Sequence, residues 1–174
     1  MTSHPPDADS DSDASGGAEH TAVEIRPATQ ADLLSVFRIE KSAFPQPWPF
    51  SAFERFLEEP AFLVGVRGSE IVGYVVADVT PNYGRDIGHV KDLAVRPDAR
   101  GVGLGRRLLS QAIRRMASDG AALVKLEVRA SNDPALGLYR DEGFELLRRV
   151  PGYYEDGETA LVMVLDVDEW FEAR

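Results

Sequence analysis

Glycines and arginines are concentrated in one short stretch of the chain, Val95–Leu109, which reads "VRPDARGVGLGRRLL". A strand-like segment ends there and a segment of helical periodicity begins. A helix start presents unpaired N–H groups and the positive end of the helix dipole, and glycines let a ligand approach the backbone. Arg106 and Arg107 lie at that same end, where a cation is unfavourable unless an anion is bound. The stretch therefore predicts an anion site, although a glycine cluster outside this context is more often a flexible turn.

The spacing of the glycines narrows the kind of anion. It is neither the Gly-x-x-x-x-Gly-Lys-Ser/Thr pattern of P-loop nucleotide sites nor the Gly-x-Gly-x-x-Gly fingerprint of dinucleotide sites. It fits Arg/Gln-x-x-Gly-x-Gly/Ala, since Arg100 to Gly105 read "RGVGLG". This segment resembles the acyl-CoA signature of the GNAT acyltransferase superfamily.

Three further stretches strengthen that resemblance. "LEVRASNDPALGLYRDEGF" (Leu126–Phe144) and "GYYEDGETALVM" (Gly152–Met163) look like the RimI/Ard branch, the protein N-terminal acetyltransferases. "AFPQPWPF" (Ala43–Phe50) resembles the substrate loop of that branch. The resemblance runs from about Val23 to Val167 with the motifs in register, and it implies a GNAT fold and an acetyl-CoA-dependent enzyme.

The resemblance also implies where acetyl-CoA binds. The backbone of Leu93, Ala94 and Val95 is expected to pair with the pantetheine arm, as an added strand would. Asn132 matches the asparagine that meets the arm from the next helix. The backbone of the glycine loop is expected to hold the pyrophosphate, and this loop comprises Arg100, Gly101, Val102, Gly103, Leu104, Gly105 and Arg106.

Acetyl transfer to an amine needs a base, a polarised thioester carbonyl and a proton for the departing thiolate. By resemblance, Glu127 is the general base and Tyr139, whose phenol is protonated at neutral pH, is the proton donor. His89 matches a histidine of archaeal-type members that lies near the amine, and an ordinary strand histidine is the alternative. Since the chain has no cysteine, direct attack in a ternary complex is favoured over a cysteinyl intermediate.

The acceptor slot is expected to be lined by Trp48, Phe50 and Tyr154, although loop packing explains the first two equally well. Part of the family carries a glutamate in this loop, whereas this chain has Gln46 followed by Pro47. A second carboxylate base in the loop is therefore not expected, and the preferred first residue of the acceptor is open. Thr159 also stands where an aspartate is common.

Other functions remain open from the sequence. Glu127 could be a surface glutamate paired with Lys125 or Arg129, and Tyr139 a half-buried aromatic on an amphipathic helix. The acceptor could be a lysine side chain or a small amine instead of a protein N-terminus, with ribosomal proteins as one possible target. The domain could also be a non-catalytic acyl-CoA-binding module, which the presence of both Glu127 and Tyr139 disfavours.

The elements that must position these residues follow from periodicity and turn residues. Helices are expected after Thr29 and Ser51 and over Gly103–Ser118 and Asn132–Glu142. Strand patterns occupy Val23–Pro27, Phe62–Arg67, Glu70–Val79, His89–Val95, Ala121–Ala130, Phe144–Val150 and Thr159–Val167. The order predicts an α+β domain over residues 21–174, with one mixed, mostly antiparallel sheet of about seven strands and about four flanking helices. Residues 1–20, rich in Asp, Ser, Gly and Pro, are expected to form a disordered acidic tail.

Composition excludes several other classes. A formal net charge of −10 argues against a nucleic-acid site. No apolar run approaches the length of a membrane span, no metal site is indicated, and the acidic start lacks the apolar region of a secretory signal. The lack of cysteine favours a reducing cytoplasm. Only three of the 19 basic residues are lysines, which together with the acid excess suggests an archaeal, salt-adapted origin.

Overall fold

The computed structural model describes residues 22–174, so the acidic tail predicted for residues 1–20 lies outside the described residues. Seven strands form one sheet: β1 Val23–Pro27, β2 Leu63–Arg67, β3 Glu70–Thr80, β4 Asp86–Val95, β5 Ala121–Arg129, β6 Glu145–Val150 and β7 Ala160–Asp166. The helices are α1 Leu33–Ala43, α2 Phe50–Arg55, α3 Leu104–Ser118, α4 Asp133–Glu142 and α5 Val167–Glu172. No helix within residues 22–174 is long and apolar enough to cross a membrane.

The sheet has the strand order β1-β2-β3-β4-β5-β7-β6. Its neighbours are antiparallel except for β4 and β5, which run parallel because α3 connects them across one face. The mixed, mostly antiparallel seven-stranded sheet expected from the sequence is therefore confirmed.

Each face of the sheet is covered by helices whose apolar positions recur at helical spacing. On one face α1 and α2 pack through Leu33, Val36 and Phe53 against Tyr74 and neighbouring strand residues. On the other face α3 buries Leu108 and Ile113, and α4 and α5 pack beside it. The two layers fix the central strands β3, β4 and β5, which carry the predicted site.

The helix α5 was not predicted, and the expectation that β7 extends to Val167 is wrong. Asp166 ends the strand and caps the helix, because its Oδ1 accepts the N–H groups of Asp168 and Glu169 at 3.0 and 3.2 Å. Trp170 then packs into the core and donates its Nε1–H to the buried Glu142 at 3.0 Å. The described residues thus contain five α-helices, one more than expected.

Candidate active site

The strands β4 and β5 form a fork on which the site is built. Their parallel pairing runs only as far as His89 opposite Lys125. Beyond that point β4 continues to Val95 along β3, and β5 continues to Arg129 along β7. The two strands therefore diverge, and the opening between them exposes one backbone edge of β4.

The side chains of His89 and Glu127 meet where the strands begin to diverge. His89 Nε2 lies 2.5 Å from Glu127 Oε2, and each side chain is less than one-fifth exposed. Lys125 Nζ lies farther away, 3.9 Å from Oε1 of the same carboxylate. The fold thus brings together the predicted base and the predicted histidine, which are 38 residues apart in sequence.

Glu127 is held in its ionised form. Partial burial acts to raise its pKa, but the hydrogen bond from His89 and the charges of His89, Lys125 and Lys91 outweigh burial and lower it below the ordinary glutamate value. An ionised carboxylate is ready to accept a proton. The half-buried, hydrogen-bonded position differs from the solvent-exposed glutamate that was the alternative interpretation of the sequence.

Tyr139 lies on α4 and lines the same pocket as Glu127. Its ring packs edge-on against Phe144 with centroids 5.8 Å apart. Burial is the main cause that raises the pKa of the Tyr139 phenol. The hydroxyl therefore stays protonated and can donate a proton into the pocket.

A groove of about 470 Å³ runs from this pocket to the glycine loop. Asn132 and Tyr139 line both cavities, so pocket and groove are continuous. Asn132 also caps α4, because its Oδ1 accepts the Ala135 N–H at 3.3 Å, which leaves its NH₂ group for a ligand. The loop residues that line the groove are Arg100, Gly101, Gly103, Leu104, Gly105 and Arg106.

The open edge of β4 presents the peptide groups of Leu93 and Val95. Successive peptide groups of a strand point to opposite edges, and the Arg96 N–H donates to Val72 on β3 at 2.8 Å. The groups of Leu93 and Val95 consequently face the fork. Ala94 is not brought to the fork, since it is paired with Tyr74 of β3. Leu93 and Val95 thus face the fork, although Asp92 Oδ1 accepts the Leu93 N–H and the Val95 carbonyl accepts Arg100 Nε, each at 2.9 Å.

The glycine loop has the conformation that its residues predict. Gly101 and Gly103 have φ of 80° and 81°, a left-handed conformation that side chains disfavour. The first hydrogen bond of α3 runs from the Arg107 N–H to the Gly103 carbonyl at 3.0 Å. The amides just before Arg107 have no intrahelical acceptor, and a helix end of this kind suits an anion. Val102 points its side chain into solvent, 73% exposed.

The arginines of the loop have protein partners of their own. Arg106 donates through Nε to the buried Glu142 at 3.2 Å, and Arg107 donates to the Val23 carbonyl at 2.9 Å. Arg100 donates through Nε to the Val95 carbonyl, also at 2.9 Å. A carboxylate and two carbonyls thus offset the unfavourable position of these cations near a helix N-terminus.

The acceptor side of the pocket is enclosed by the loop before α2 and the β6–β7 hairpin. This pocket of about 190 Å³ is lined by Trp48 from the loop and by Tyr154 from the hairpin. Trp48 also stacks on Phe56 with centroids 5.7 Å apart. Phe50 does not line the pocket, because its ring packs edge-on against Phe37 at 5.8 Å. Loop packing therefore accounts for Phe50, and Trp48 serves both packing and the slot.

Arg129, which sequence reasoning did not assign to the site, holds the two walls together. Its guanidinium donates to Gln46 of the loop at 3.2 Å and to Asp156 and Glu158 of the hairpin at 2.7 and 3.1 Å. It also lies over the Tyr154 ring, 4.0 Å from the centroid. The position of Arg129 two residues after Glu127 on β5 was a signal for this role, because alternate residues share one face of a strand.

Two carboxyl groups, the buried Glu40 and the half-buried Asp92, were also missed. Both line the acceptor pocket, and the Tyr74 hydroxyl lies between them, in contact with Glu40 Oε2 and 3.2 Å from Asp92 Oδ2. The signal for Glu40 was its place in the apolar stripe of α1, where a charged residue is out of pattern. Within residues 22–174, no group of three or more histidine, aspartate or glutamate side chains is arranged to hold a metal ion.

The geometry and the sequence motifs lead to the same family. Residues 33–144 match the Acetyltransferase (GNAT) family. The chain belongs to this GNAT family. The matched segment contains the fork, the glycine loop, and Glu127 with Tyr139, so family and candidate site coincide.

Relatives of this GNAT chain include characterised branches of the family. It is 35% identical over 152 residues to the N-alpha-acetyltransferase of Sulfolobus acidocaldarius, covering 80% of this chain and 90% of the relative. The ribosomal-protein-S18-alanine N-acetyltransferase of Escherichia coli has a similar structure, with a TM-score of 0.73 and 28% identity over 84% of this chain and 94% of that one. Arabidopsis thaliana NAA60 in complex with acetyl-CoA shares the fold, with a TM-score of 0.76 at 19% identity over 83% of this chain and 99% of that one. The expected resemblance to the RimI/Ard branch is confirmed.

Proposed function

We propose that this GNAT protein transfers the acetyl group of acetyl-CoA to the N-terminal α-amino group of a protein, by direct attack in a ternary complex. The observation that carries the proposal is Glu127, which is in contact with His89 at the vertex of the β4–β5 fork and lines the same pocket as Tyr139. A base and an acid that line one pocket are what amine acylation requires.

The groove fits acetyl-CoA in its chemistry and its shape. The exposed amides before Arg107 suit a pyrophosphate, and the fork-facing peptide groups of Leu93 and Val95 suit the amides of the pantetheine arm. When bound, the co-substrate supplies an activated acetyl thioester near Glu127. The Leu93 N–H then lies at the open edge of β4, where it can stabilise negative charge on the carbonyl oxygen.

Glu127 takes up the proton that the amine loses as its nitrogen attacks. An α-amino group has a pKa of about 7.7–8.0, against about 10.4 for lysine. A carboxylate with a lowered pKa is a weak base, so it serves the α-amine better than it would serve a lysine. His89, in contact with Glu127 Oε2, orients the carboxylate and can pass the proton on. Tyr139 gives its proton to the departing thiolate, which completes the transfer.

The enclosed acceptor slot favours a protein N-terminus over a lysine side chain. Arg129 joins Gln46 to the hairpin carboxylates Asp156 and Glu158, so the two walls of the slot are tied together. A narrow slot suits the end of a chain, whereas an acceptor lysine within a folded segment calls for a wider groove. Transfer to lysine or to a small amine remains the second candidate.

The similarity to the E. coli ribosomal-protein-S18-alanine enzyme leads us to include ribosomal proteins among the proposed acceptors. Gln46 and Pro47 in the slot loop mean that the preferred first residue must be measured. The cytoplasmic location expected from the sequence stays a prediction.

A panel of peptides that differ only in their first residues, one of them copying the N-terminus of the host's S18 protein, tests the proposal. Release of free CoA is measured with each peptide at low and at molar salt, and the products are identified by mass spectrometry. Acetylated peptide with a preference among first residues supports the proposal. Binding of acetyl-CoA without CoA release for any peptide would favour the non-catalytic module instead.

A further inference from the structure

A hydrogen-bonded network of buried and half-buried groups crosses the site from the acceptor loop to the donor strand. The Trp48 N–H donates to Glu40 Oε1 at 2.8 Å, and the Tyr74 hydroxyl contacts Glu40 Oε2. The same hydroxyl lies 3.2 Å from Asp92 Oδ2, and Asp92 Oδ1 accepts the Leu93 N–H at 2.9 Å. The network thus ends on the amide that the proposed function assigns to the thioester carbonyl.

The number of protons shared by Glu40, Tyr74 and Asp92 fixes the net charge of this hydrogen-bonded network. A tyrosine hydroxyl has one proton and can donate it to only one of two carboxyl groups, and we take Glu40, the closer of its two contacts, as the acceptor. The tyrosine oxygen can then meet Asp92 Oδ2 favourably only if Asp92 carries a proton and donates it. Neither carboxyl forms an ion pair within residues 22–174, and Lys91 faces Asp78 Oδ1 at 3.8 Å instead. Two adjacent buried carboxylates without a cation would repel each other strongly.

The surroundings of Asp92 also favour its protonated form. Burial and the neighbouring Glu40 carboxyl raise the pKa of Asp92 well above its usual range, and they outweigh the opposing effect of its contacts with Tyr74 and the Leu93 amide. The Tyr74 hydroxyl of β3 contacts Asp92 directly. The other titratable and charged groups that line the same pocket as Asp92 are Glu40 from α1, Lys91 from β4, Glu127 and Arg129 from β5, Tyr139 from α4, and Tyr154 from the hairpin.

We propose that Asp92 is a positioning residue which is kept as a neutral carboxylic acid, so that the Leu93 amide stays available to the carbonyl oxygen of the acetyl donor. The inference rests on the proposed acetyl transfer. An ionised Asp92 would bind the Leu93 amide in a charge-assisted hydrogen bond and place negative charge beside the developing oxyanion. A neutral acid accepts the amide weakly and releases it. Glu40 carries the single negative charge of this hydrogen-bonded network and holds the acceptor loop through Trp48.

Substitutions at Asp92 and at Glu40 distinguish the role of the neutral carboxyl group from that of the charged one. D92A should lower kcat/KM for acetyl-CoA roughly fivefold, because the buried Tyr74 hydroxyl loses a partner, and D92N should restore most of the loss. E40Q cannot carry the charge, so it should raise the KM for the peptide about tenfold or more. A D92N variant as impaired as D92A would overturn the proposal, because it would show that the Asp92 charge is needed.

Infrared difference spectroscopy of the protein without substrates tests the protonation state directly. The wild-type protein at neutral pH should show the C=O stretch of a protonated carboxyl group, and the band should be absent in D92N. D78N removes another carboxyl on the same sheet face and should leave the band in place. No such band in the wild type, or a band that persists in D92N, contradicts the proposal. A wild-type protein with the band but without acetyl transfer to any peptide would instead overturn the proposed function.

Discussion

His89 Nε2 and Glu127 Oε2 lie 2.5 Å apart at the last pairing position of β4 and β5, where the sheet opens into a fork. The contact places an ionised carboxylate at the point where a ligand arm lying along β4 would end. It also gives the histidine a defined role, because the His89 hydrogen bond helps to keep the pKa of Glu127 low. The fork and this pair are the basis for proposing that the chemistry lies beside the glycine loop and not within it.

Replacing Glu127 with Gln should abolish most catalysis while leaving the donor site intact. Gln keeps the shape of the side chain but cannot take up a proton, so kcat should fall by about 10²–10⁴-fold. Calorimetric titration should give wild-type affinity for CoA, because Glu127 lies outside the groove of the glycine loop. A Glu127→Gln enzyme that acetylates peptides at the wild-type rate would remove Glu127 as the base.

Replacing His89 with Ala should shift the acid limb of the pH–rate profile to higher pH. The His89 hydrogen bond lowers the pKa of Glu127, so its loss raises that pKa and the carboxylate becomes protonated at higher pH. The profile of kcat/KM is measured for the wild type, His89→Ala and Lys125→Met. Lys125 lies 3.9 Å from the carboxylate, so its removal should shift the limb in the same direction by less. If both variants kept the acid limb of the wild type, the assignment of Glu127 as the base would be contradicted.

Replacing Tyr139 with Phe should slow departure of the thiolate specifically. Burial raises the pKa of the phenol, so at neutral pH the hydroxyl is a proton donor whose loss leaves the thiolate unprotonated. The expected fall in kcat should be smaller with an acetyl thioester of a more acidic thiol, which needs no proton to leave. An equal fall with both donors would indicate that Tyr139 only supports the packing around Phe144.

Replacing Arg129 with Ala should weaken the acceptor slot and leave the donor site unaffected. The variant loses the contacts to Gln46, Asp156 and Glu158, so the KM for the peptide should rise several-fold, as expected when charge-assisted hydrogen bonds are lost. The KM for acetyl-CoA should stay the same. Arg149, exposed on the edge strand β6, provides a matched control, and Arg149→Ala should change neither constant. An equal rise in both KM values for Arg129→Ala would show a general loss of structure.

The folded state should lose stability at acidic pH because Asp32, the buried residue before α1, becomes protonated. The hydrogen bonds from Arg26 outweigh burial and lower the Asp32 pKa. A lowered native pKa contributes stability that is present above the unfolded pKa and is lost as the pH falls through the native one. Asp32→Asn should therefore cost about 1–3 kcal/mol at pH 7 and much less in acid. Urea unfolding of variant and wild type at both pH values measures the difference, and an equal cost at both would contradict the ion-pair explanation.

The sequence was sufficient for features that depend on neighbouring residues. The helix that follows the glycine loop, the strand from Ala121 and the helix near Asn132 were predicted from local patterns, and the structure confirms them. The short helix α5 was missed because the alternation of β7 continues into Val167, although Asp166 was a capping signal. The enclosing contacts of Arg129 were missed because they join segments far apart in sequence.

Glu40 and Asp92 also approach each other from segments that are far apart in sequence, so their proximity could not be predicted. The two residues belong to α1 and β4, and only the packing of that helix on the sheet brings them to the same tyrosine. An extra residue at Lys91 in the pairing of β3 with β4 turns Asp92 toward Tyr74. A bulge of this kind has no signature in the pattern "HVKDLAV", so the sequence showed two charged residues without showing their contact.

The central claim is tested most directly by locating the acetyl group on one peptide that has a free N-terminus and an internal lysine. The peptide is incubated with acetyl-CoA and either the wild-type enzyme or Glu127→Gln, and the modified nitrogen is identified by tandem mass spectrometry. The account predicts acetylation of the α-nitrogen by the wild type and a rate lower by about 10²-fold or more for the variant. Acetylation of the lysine side chain, or an unchanged rate in the variant, would contradict it.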